Sequence, residues 1–153
     1  MVADTKPDCV IRRAVGADAD RVTECIEAAY RPYMVRMGGQ VLPPMTVDYA
    51  KEIEESEVWI ADLDGDLKGV MILSDGEGKL QIANVAVHPA SQGKGVGKRL
   101  INFAVEEARS RRRDAVDLVT HPLLEENLSL YAHLGWSETR RDESHVYMTR
   151  DLI

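Results

Sequence analysis

A glycine-rich, basic segment at residues 92–99, Gln-Gly-Lys-Gly-Val-Gly-Lys-Arg, constrains the fold of this chain more than any other feature. An apolar run at residues 80–87 predicts a β-strand before it, and an amphipathic pattern over residues 95–112 predicts a long helix after it. Glycines let the backbone approach a ligand closely, and the free N–H groups at a helix start favour an anion. The sequence therefore predicts a phosphate-binding turn between strand and helix, with counter-charges from Lys94, Lys98 and Arg99.

The spacing of these glycines excludes two better-known phosphate-binding loops. A P-loop requires Gly-x-x-x-x-Gly-Lys-Ser/Thr, which does not occur in the chain. A dinucleotide-binding loop requires a third glycine three residues after the second, where this chain has Lys98 or Leu100. The pattern that does fit is Gln/Arg-x-x-Gly-x-Gly/Ala, read over residues 92–97.

Together with the preceding Asn-Val-Ala-Val-His-Pro at residues 84–89, this pattern resembles the cofactor motif of the GNAT superfamily of N-acetyltransferases. The resemblance implies that acetyl-CoA is the cosubstrate and that the loop holds its pyrophosphate. The matching strand of the family also offers backbone groups to the pantetheine arm. The cofactor-binding residues implied in this way are Val85, Ala86, Val87, Gln92, Gly93, Lys94, Gly95, Val96, Gly97 and Lys98.

The segment from Glu126 to Trp136 resembles a later motif of the same family, Asn…Leu-Tyr-x-x-Leu-Gly-Phe. Asn127 and Tyr131 are four residues apart and share one helical face. The resemblance implies a cofactor contact for Asn127 and a general-acid role for Tyr131 toward the leaving CoA thiolate. The alternative is that Tyr131 is a packed aromatic residue with a hydrogen-bonded hydroxyl.

The acceptor side of the resembling family corresponds to the region around residues 30–49. The substrate-binding candidates are Tyr33, Arg36, Asp48 and Asn84. Arg36 is suited to bind a substrate carboxylate, and a solvated arginine is the alternative. The general base is open among Asn84, where some relatives carry an acidic residue, Asp48, His88 and a chain of water molecules.

Composition narrows the class of protein. The chain has 153 residues, 44% of them apolar, which predicts a single domain over residues 1–153. A formal net charge of −7 disfavours nucleic-acid and membrane binding, and the arginine-rich residues 109–113 are interpreted as cations at a helix C-terminus.

The two cysteines and four scattered histidines match no zinc spacing, so we expect no metal. Two reduced cysteines, a polar N-terminus unlike a signal peptide and no membrane-length apolar run predict a cytoplasmic protein.

The order of predicted elements indicates an α/β (α+β) fold, a mixed sheet with helices on both faces. The family resemblance refines this to a GNAT-like, mostly antiparallel sheet of about six to seven strands. Strands are predicted at residues 9–11, 58–61, 67–73, 80–87, 115–119 and 145–149. Helices are predicted after Asp18, whose side chain is expected to cap the first one, and at residues 48–55, 95–112 and 124–134.

The resemblance leads to one functional hypothesis and two alternatives. The hypothesis is an N-acetyltransferase that moves acetyl from acetyl-CoA to a primary amine by direct attack, with a small-molecule amine as its partner. The first alternative is a protein or peptide N-acetyltransferase. The second is a non-catalytic acyl-CoA-binding sensor module. A homodimer is possible in each case.

Overall fold

The computed structural model describes residues 9–153, so the prediction about a signal peptide concerns residues that lie outside the described part of the chain. The described residues form seven strands and four α-helices. In chain order these are β1 (Val10–Arg13), α1 (Ala19–Arg36), α2 (Tyr49–Glu55), β2 (Glu57–Leu63), β3 (Asp66–Asp75), β4 (Lys79–Val87), α3 (Val96–Ser110), β5 (Ala115–Thr120), α4 (Glu125–His133), β6 (Ser137–Arg141) and β7 (Val146–Asp151). None of these four helices combines the length and apolar character needed to cross a membrane.

The seven strands follow the order β1-β2-β3-β4-β5-β7-β6 in one sheet. β4 and β5 are parallel, whereas β1–β2, β5–β7 and β6–β7 are antiparallel. β2 and β3 are joined by the two-residue turn Asp64-Gly65, whose φ angles of 53° and 88° fit the hairpin turn that an Asp-Gly pair between two apolar runs predicts. A mixed, mostly antiparallel sheet with four helices confirms the predicted fold class.

The chain divides into two compact units. The first contains the described residues up to 71 together with 85–100, and the second contains residues 72–84 and 101–153. β3, β4 and α3 each contribute residues to both units. The prediction of a single domain over residues 1–153 stays a prediction.

Each unit buries its own apolar residues. In the first unit α1 presents a buried stripe, and β2 and β3 contribute further core residues: Val22, Cys25, Ile26, Ala29, Val58, Ile60, Val70 and Met71. In the second unit the buried residues of β4 and β7 alternate along each strand and join those of β5 and α3: Leu80, Ile82, Val146, Met148, Val116, Leu118, Ile101, Ala104 and Ala108.

The predicted capping role of Asp18 is wrong. Its carboxylate, 1% exposed, makes no capping bond to α1. Instead it accepts hydrogen bonds from the Val15 amide at 2.8 Å, from Arg12 at 2.9 and 3.0 Å and from Arg21 at 2.5 Å. Two guanidinium groups therefore replace the helix amides as its partners. α1 also continues to Arg36, beyond its predicted stripe.

No pattern in the sequence predicts β6. All five of its residues are exposed, and its sequence, Ser-Glu-Thr-Arg-Arg, has no apolar alternation. It forms a strand because it pairs with β7 from Ser137 opposite Thr149 to Arg141 opposite Val146. The pairing is a tertiary contact that single-strand propensity does not encode.

Candidate active site

The predicted phosphate-binding turn forms an exposed loop between β4 and α3. Gly93 and Gly95 have φ angles of +78° and +81°, in the left-handed region that favours glycine. A Cβ atom added at either position meets nothing within 4 Å. Both glycines are therefore required by backbone conformation and not by lack of space.

The loop exposes a run of backbone N–H groups. The Gln92 amide donates to the Pro89 carbonyl at 3.3 Å, and the Arg99 amide donates to the Gly95 carbonyl at 3.0 Å. The amides of residues 93–98, between these two, have no acceptor among the described residues. Successive free amides in a turn with left-handed residues form an anion-binding concavity, and the N-terminus of α3 adds its partial positive charge.

Gly69 on β3 allows the start of α3 to pack closely on the sheet. A Cβ atom there would lie 2.9 Å from Leu100 Cδ1, 3.1 Å from Val96 Cγ1 and 3.1 Å from the Ala86 carbonyl oxygen. Sequence reasoning missed this residue. Its signal was a single glycine inside an apolar strand, which marks a close approach of another element.

The polar and charged side chains of the loop differ in the contacts that they make. Lys94 and Lys98 are exposed and form no ion pair with a described residue. Arg99, predicted as a third counter-charge, instead donates a hydrogen bond to the Cys9 carbonyl and so links α3 to the residue before β1. The Gln92 side-chain amide lies 3.5 Å from the Val87 carbonyl, at the end of β4.

The end of β4 carries the residues predicted to bind the pantetheine arm. Ala86 is buried, and Val85 and Val87 are half-buried. The ladder between β4 and β5 runs from Lys79 opposite Ala115 to Ile82 opposite Leu118, while β4 itself continues to Val87.

Asn127 and Tyr131 lie on successive turns of α4, in the second unit. Tyr131 is 5% exposed, and its ring centroid lies 5.9 Å from that of Trp136. The helix ends where the Trp136 amide donates to the Tyr131 carbonyl at 3.0 Å, around Gly135 with φ +93°. The ring is therefore firmly packed, as both interpretations of Tyr131 require, and its catalytic role stays a prediction.

Three of the four substrate-binding candidates lie on or beside α1 and α2. The Arg36 guanidinium is 5.7 Å from the Tyr33 ring centroid. Asp48 is exposed and caps α2 by accepting a hydrogen bond from the Lys51 amide at 3.3 Å. Asn84, the fourth candidate, is half-buried on β4 in the second unit.

The segment before α2 is held by Tyr49. The Tyr49 hydroxyl donates to the Pro44 carbonyl at 2.6 Å, and burial raises the pKa of Tyr49 to about 12. The hydroxyl therefore stays protonated near neutral pH and keeps the segment at residues 43–49 attached to α2.

The His88 ring, one of the candidates for the general base, makes a local hydrogen bond. Its Nδ1 atom accepts a hydrogen bond from the Ala90 amide at 3.1 Å. In the neutral ring Nε2 then carries the hydrogen and acts as a donor.

The arginine-rich segment at residues 109–113 is largely neutralised. Arg113 makes two hydrogen bonds to Asp75, at 2.7 and 3.0 Å, and these lower the pKa of that carboxyl group. Arg111 pairs with Glu107 at 3.1 Å, and Arg109 pairs with Glu106 at 3.1 Å. These pairs support the interpretation of the segment as a charged helix end. Over residues 9–153, no group of three or more His, Cys, Asp or Glu side chains is placed to hold a metal ion.

Comparison with known proteins identifies the family. The acetyltransferase (GNAT) domain matches residues 54–138, and the chain belongs to this family. It is 30% identical over 105 residues to YjgM of Escherichia coli, an uncharacterized N-acetyltransferase, covering 61% of this chain and 63% of that protein. It is 32% identical over 85 residues to YvbK of Bacillus subtilis, also an uncharacterized N-acetyltransferase, covering 55% of each. The chain thus spans less than two thirds of the length of these curated relatives.

Solved structures share the fold over nearly the whole chain. The PaiA N-acetyltransferase of Thermoplasma acidophilum, in complex with coenzyme A, has a TM-score of 0.81 at 15% identity and covers 95% of this chain and 99% of that one. YncA of Salmonella typhimurium, a putative acetyltransferase solved with acetyl-CoA, has a TM-score of 0.76 at 21% identity, with 96% and 95% covered. The family resemblance seen in the sequence is confirmed.

Proposed function

We propose that the protein is an N-acetyltransferase that uses acetyl-CoA to acetylate a primary amine on a small molecule. The observation that carries this proposal is the run of six free amides at residues 93–98, at the N-terminus of α3. Two left-handed glycines hold these amides in a turn suited to a pyrophosphate. The coenzyme A and acetyl-CoA complexes of its structural neighbours support the same ligand.

The backbone is expected to dominate the binding of the pyrophosphate. A hydrogen bond to a charged group contributes about 1.5–3 kcal/mol, whereas an exposed ion pair contributes about 0–1 kcal/mol. Lys94 and Lys98 are exposed, so their contribution is the smaller one. The binding function therefore depends more on the two glycines than on the lysines.

The proposed reaction is a direct transfer. Acetyl-CoA supplies an activated thioester when bound. The backbone of residues 85–87 and Asn127 would hold the acyl-CoA, and Tyr33, Arg36, Asp48 and Asn84 would hold the acceptor. The amine must lose a proton, since an alkylammonium has a pKa near ~10.4. Tyr131 would donate a proton to the departing thiolate, and holding the two reactants together is the larger expected contribution.

The proposal also covers the binding partner and the cellular location of the protein. A formal net charge of −7 supports a small-molecule partner over nucleic acid or an anionic membrane. Cys9 and Cys25 are both free thiols, which supports a cytoplasmic location. A homodimer stays a prediction.

Replacing Gly95 with Asp tests the cofactor site, because it adds a carboxylate beside the free amides. Acetyl-CoA at 100 times its Kd stabilises a folded protein by about 2.7 kcal/mol. For a chain of this size that raises Tm by roughly 5–10 °C. We expect this increase in wild type, a modest loss of it in Lys94→Ala, and none in Gly95→Asp.

Gly65→Asp is the matched control, since Gly65 has a φ of +88° and equally open space in the β2–β3 turn. It should lower Tm but keep the full response to acetyl-CoA. Equal responses of wild type and Gly95→Asp would refute the assignment.

Turnover separates the enzyme from its alternatives. Release of free CoA thiol is measured with a panel of small amines and with a panel of peptides carrying free N-termini or lysines. The proposal expects release with at least one small amine. Release with peptides alone identifies a protein acetyltransferase, and acetyl-CoA binding without release from either panel identifies a sensor.

A further inference from the structure

The guanidinium group of Arg140, on β6, lies over an aromatic ring but pairs with no carboxylate of a described residue. Its Cζ atom lies 4.0 Å from the ring centroid of Tyr147, the residue opposite it on β7. Arg140 is exposed, and its guanidinium has no hydrogen bond or ion pair to any residue between 9 and 153. Its neighbour Arg141 is different, because it makes two hydrogen bonds to Glu138, at 3.0 and 2.7 Å.

A β-bulge in β6 places Arg140 over this ring. The register shifts between Glu138, which lies opposite Met148, and Arg140, which lies opposite Tyr147. In a regular strand Thr139 would face Tyr147, and Arg140 would share the side of Glu138. The bulge therefore transfers Arg140 to the other side of the sheet, and bulges of this kind often re-aim a side chain at a functional site.

Arg140 lies on the less buried face of the sheet in the second unit. Met148 and Val146 are 4% and 0% exposed, whereas Tyr147, between them, is half-buried. Tyr147 lies opposite Val119 of β5, which is 39% exposed. Val119, Tyr147 and Arg140 thus form one row across β5, β7 and β6.

This row begins where β5 leaves β4. The last residue pair of the β4–β5 ladder is Ile82 with Leu118, and Val119 is the next residue of β5. The turn between β6 and β7 is also ordered, because the Asp142 carboxylate accepts the amides of Ser144 and His145 at 2.9 and 2.8 Å. The guanidinium therefore stands at the far end of a fixed, partly apolar row.

We propose that Arg140 binds an anionic group, a carboxylate or a phosphate, on the acceptor amine. This inference rests on the proposed acetyltransferase function and narrows its substrate class to amines that carry a negative charge. The planar guanidinium offers paired N–H donors that match either group, and the Tyr147 ring restricts its motion before the ligand arrives. The apolar side chain of Val119 and the Tyr147 ring would contact the body of the substrate.

The test measures product binding, which does not depend on turnover. Calorimetry with CoA present compares a panel of N-acetyl amino acids with their C-terminal amides, and N-acetylphosphoethanolamine with N-acetylethanolamine. The variants are Arg140→Gln, Arg140→Lys, the neighbouring control Arg141→Gln, and Arg36→Gln, which removes the other candidate for a carboxylate. Melting temperatures of all variants are measured alongside.

We expect wild type to bind at least one anionic compound about ten- to a hundredfold more tightly than its neutral partner, as hydrogen bonds to charged groups permit. Arg140→Gln should abolish that preference, Arg140→Lys should restore part of it, and Arg141→Gln and Arg36→Gln should retain it. The acid–amide and phosphate–hydroxyl pairs show which anion is preferred.

Two results overturn the inference. One is equal binding of anionic and neutral compounds by wild type, and the other is a preference that survives in Arg140→Gln or disappears in Arg36→Gln. Failure of the proposed function is distinguishable: an Arg140-dependent preference without CoA release from any amine refutes the acetyltransferase alone. CoA release from neutral amines without any anion preference refutes only the role of Arg140.

Discussion

Replacing Gly69 with Ala tests whether the close packing of α3 on β3 positions the phosphate-binding loop. The new Cβ atom would lie 2.9 Å from Leu100 Cδ1 and 3.1 Å from both Val96 Cγ1 and the Ala86 carbonyl oxygen. Leucine and valine side chains can shift, but the carbonyl belongs to the backbone of β4. The strand backbone at Gly69 or Ala86 must therefore give by a few tenths of an ångström, and the contact with Val96, the first residue of α3, changes with it.

Overpacking of this kind costs about 1–3 kcal/mol in a well-packed core. For a chain of this size each kcal/mol lowers Tm by roughly 2–4 °C, so a decrease of about 2–12 °C is expected. Because Val96 lies within the run of free amides at residues 93–98, the affinity for acetyl-CoA should also fall. Scanning calorimetry with and without acetyl-CoA measures both effects.

Gly16→Ala is the control for this substitution. Gly16 has an ordinary φ, and a Cβ atom there meets nothing within 4 Å. Reduced freedom of the unfolded chain should stabilise this variant by about 0.4–1 kcal/mol, with no change in acetyl-CoA binding. A Gly69→Ala protein with the Tm and acetyl-CoA affinity of wild type would show that α3 has room on the sheet and that Gly69 does not position the loop.

Two further predictions concern single side chains. Hydrogen bonds, first from Arg12, lower the pKa of Asp18 from 3.8 to about 2, which corresponds to about 2 kcal/mol of stability at ~1.36 kcal/mol per pKa unit. A carboxyl group whose pKa is lowered by folding stabilises the fold above pH ~4, and this stabilisation is lost as the pH falls toward ~2. The free energies of unfolding of wild type and Asp18→Asn, measured with urea, should therefore converge over this interval. A difference that stays constant with pH would contradict this prediction. Tyr131→Phe should lower kcat about ten- to a thousandfold with little change in Tm or acetyl-CoA affinity, because only the hydroxyl is lost; unchanged turnover with an identified acceptor would leave Tyr131 a packing residue.

The phosphate-binding loop was predictable because its determinants are local. Glycines at positions 93 and 95 permit a left-handed backbone without a steric penalty, and the helix that follows has a clear amphipathic period. The turn at Asp64-Gly65 was predictable for the same reason.

Features that depend on distant partners were not predictable in this way. Asp18 has the residue type and position of a helix cap, but Arg12 and Arg21 compete for its carboxylate. Gly69 acquires its meaning only from Leu100 and Ala86. The position of Arg140 depends on a bulge that exists only in the pairing with β7, and no local pattern in the sequence marks it.

The interleaving of the two units has a consequence for synthesis on the ribosome. The chain leaves the first unit after residue 71 and returns to it for residues 85–100, and the second unit takes in residues 72–84 and 101–153. Neither unit is a continuous segment, so neither can finish folding as the first half of the polypeptide emerges. The segment that completes the first unit is the one that carries Gly93 and Gly95. A nascent chain stalled before residue 85 would therefore lack both a finished core and the phosphate-binding loop, and would be exposed to proteases until translation resumed.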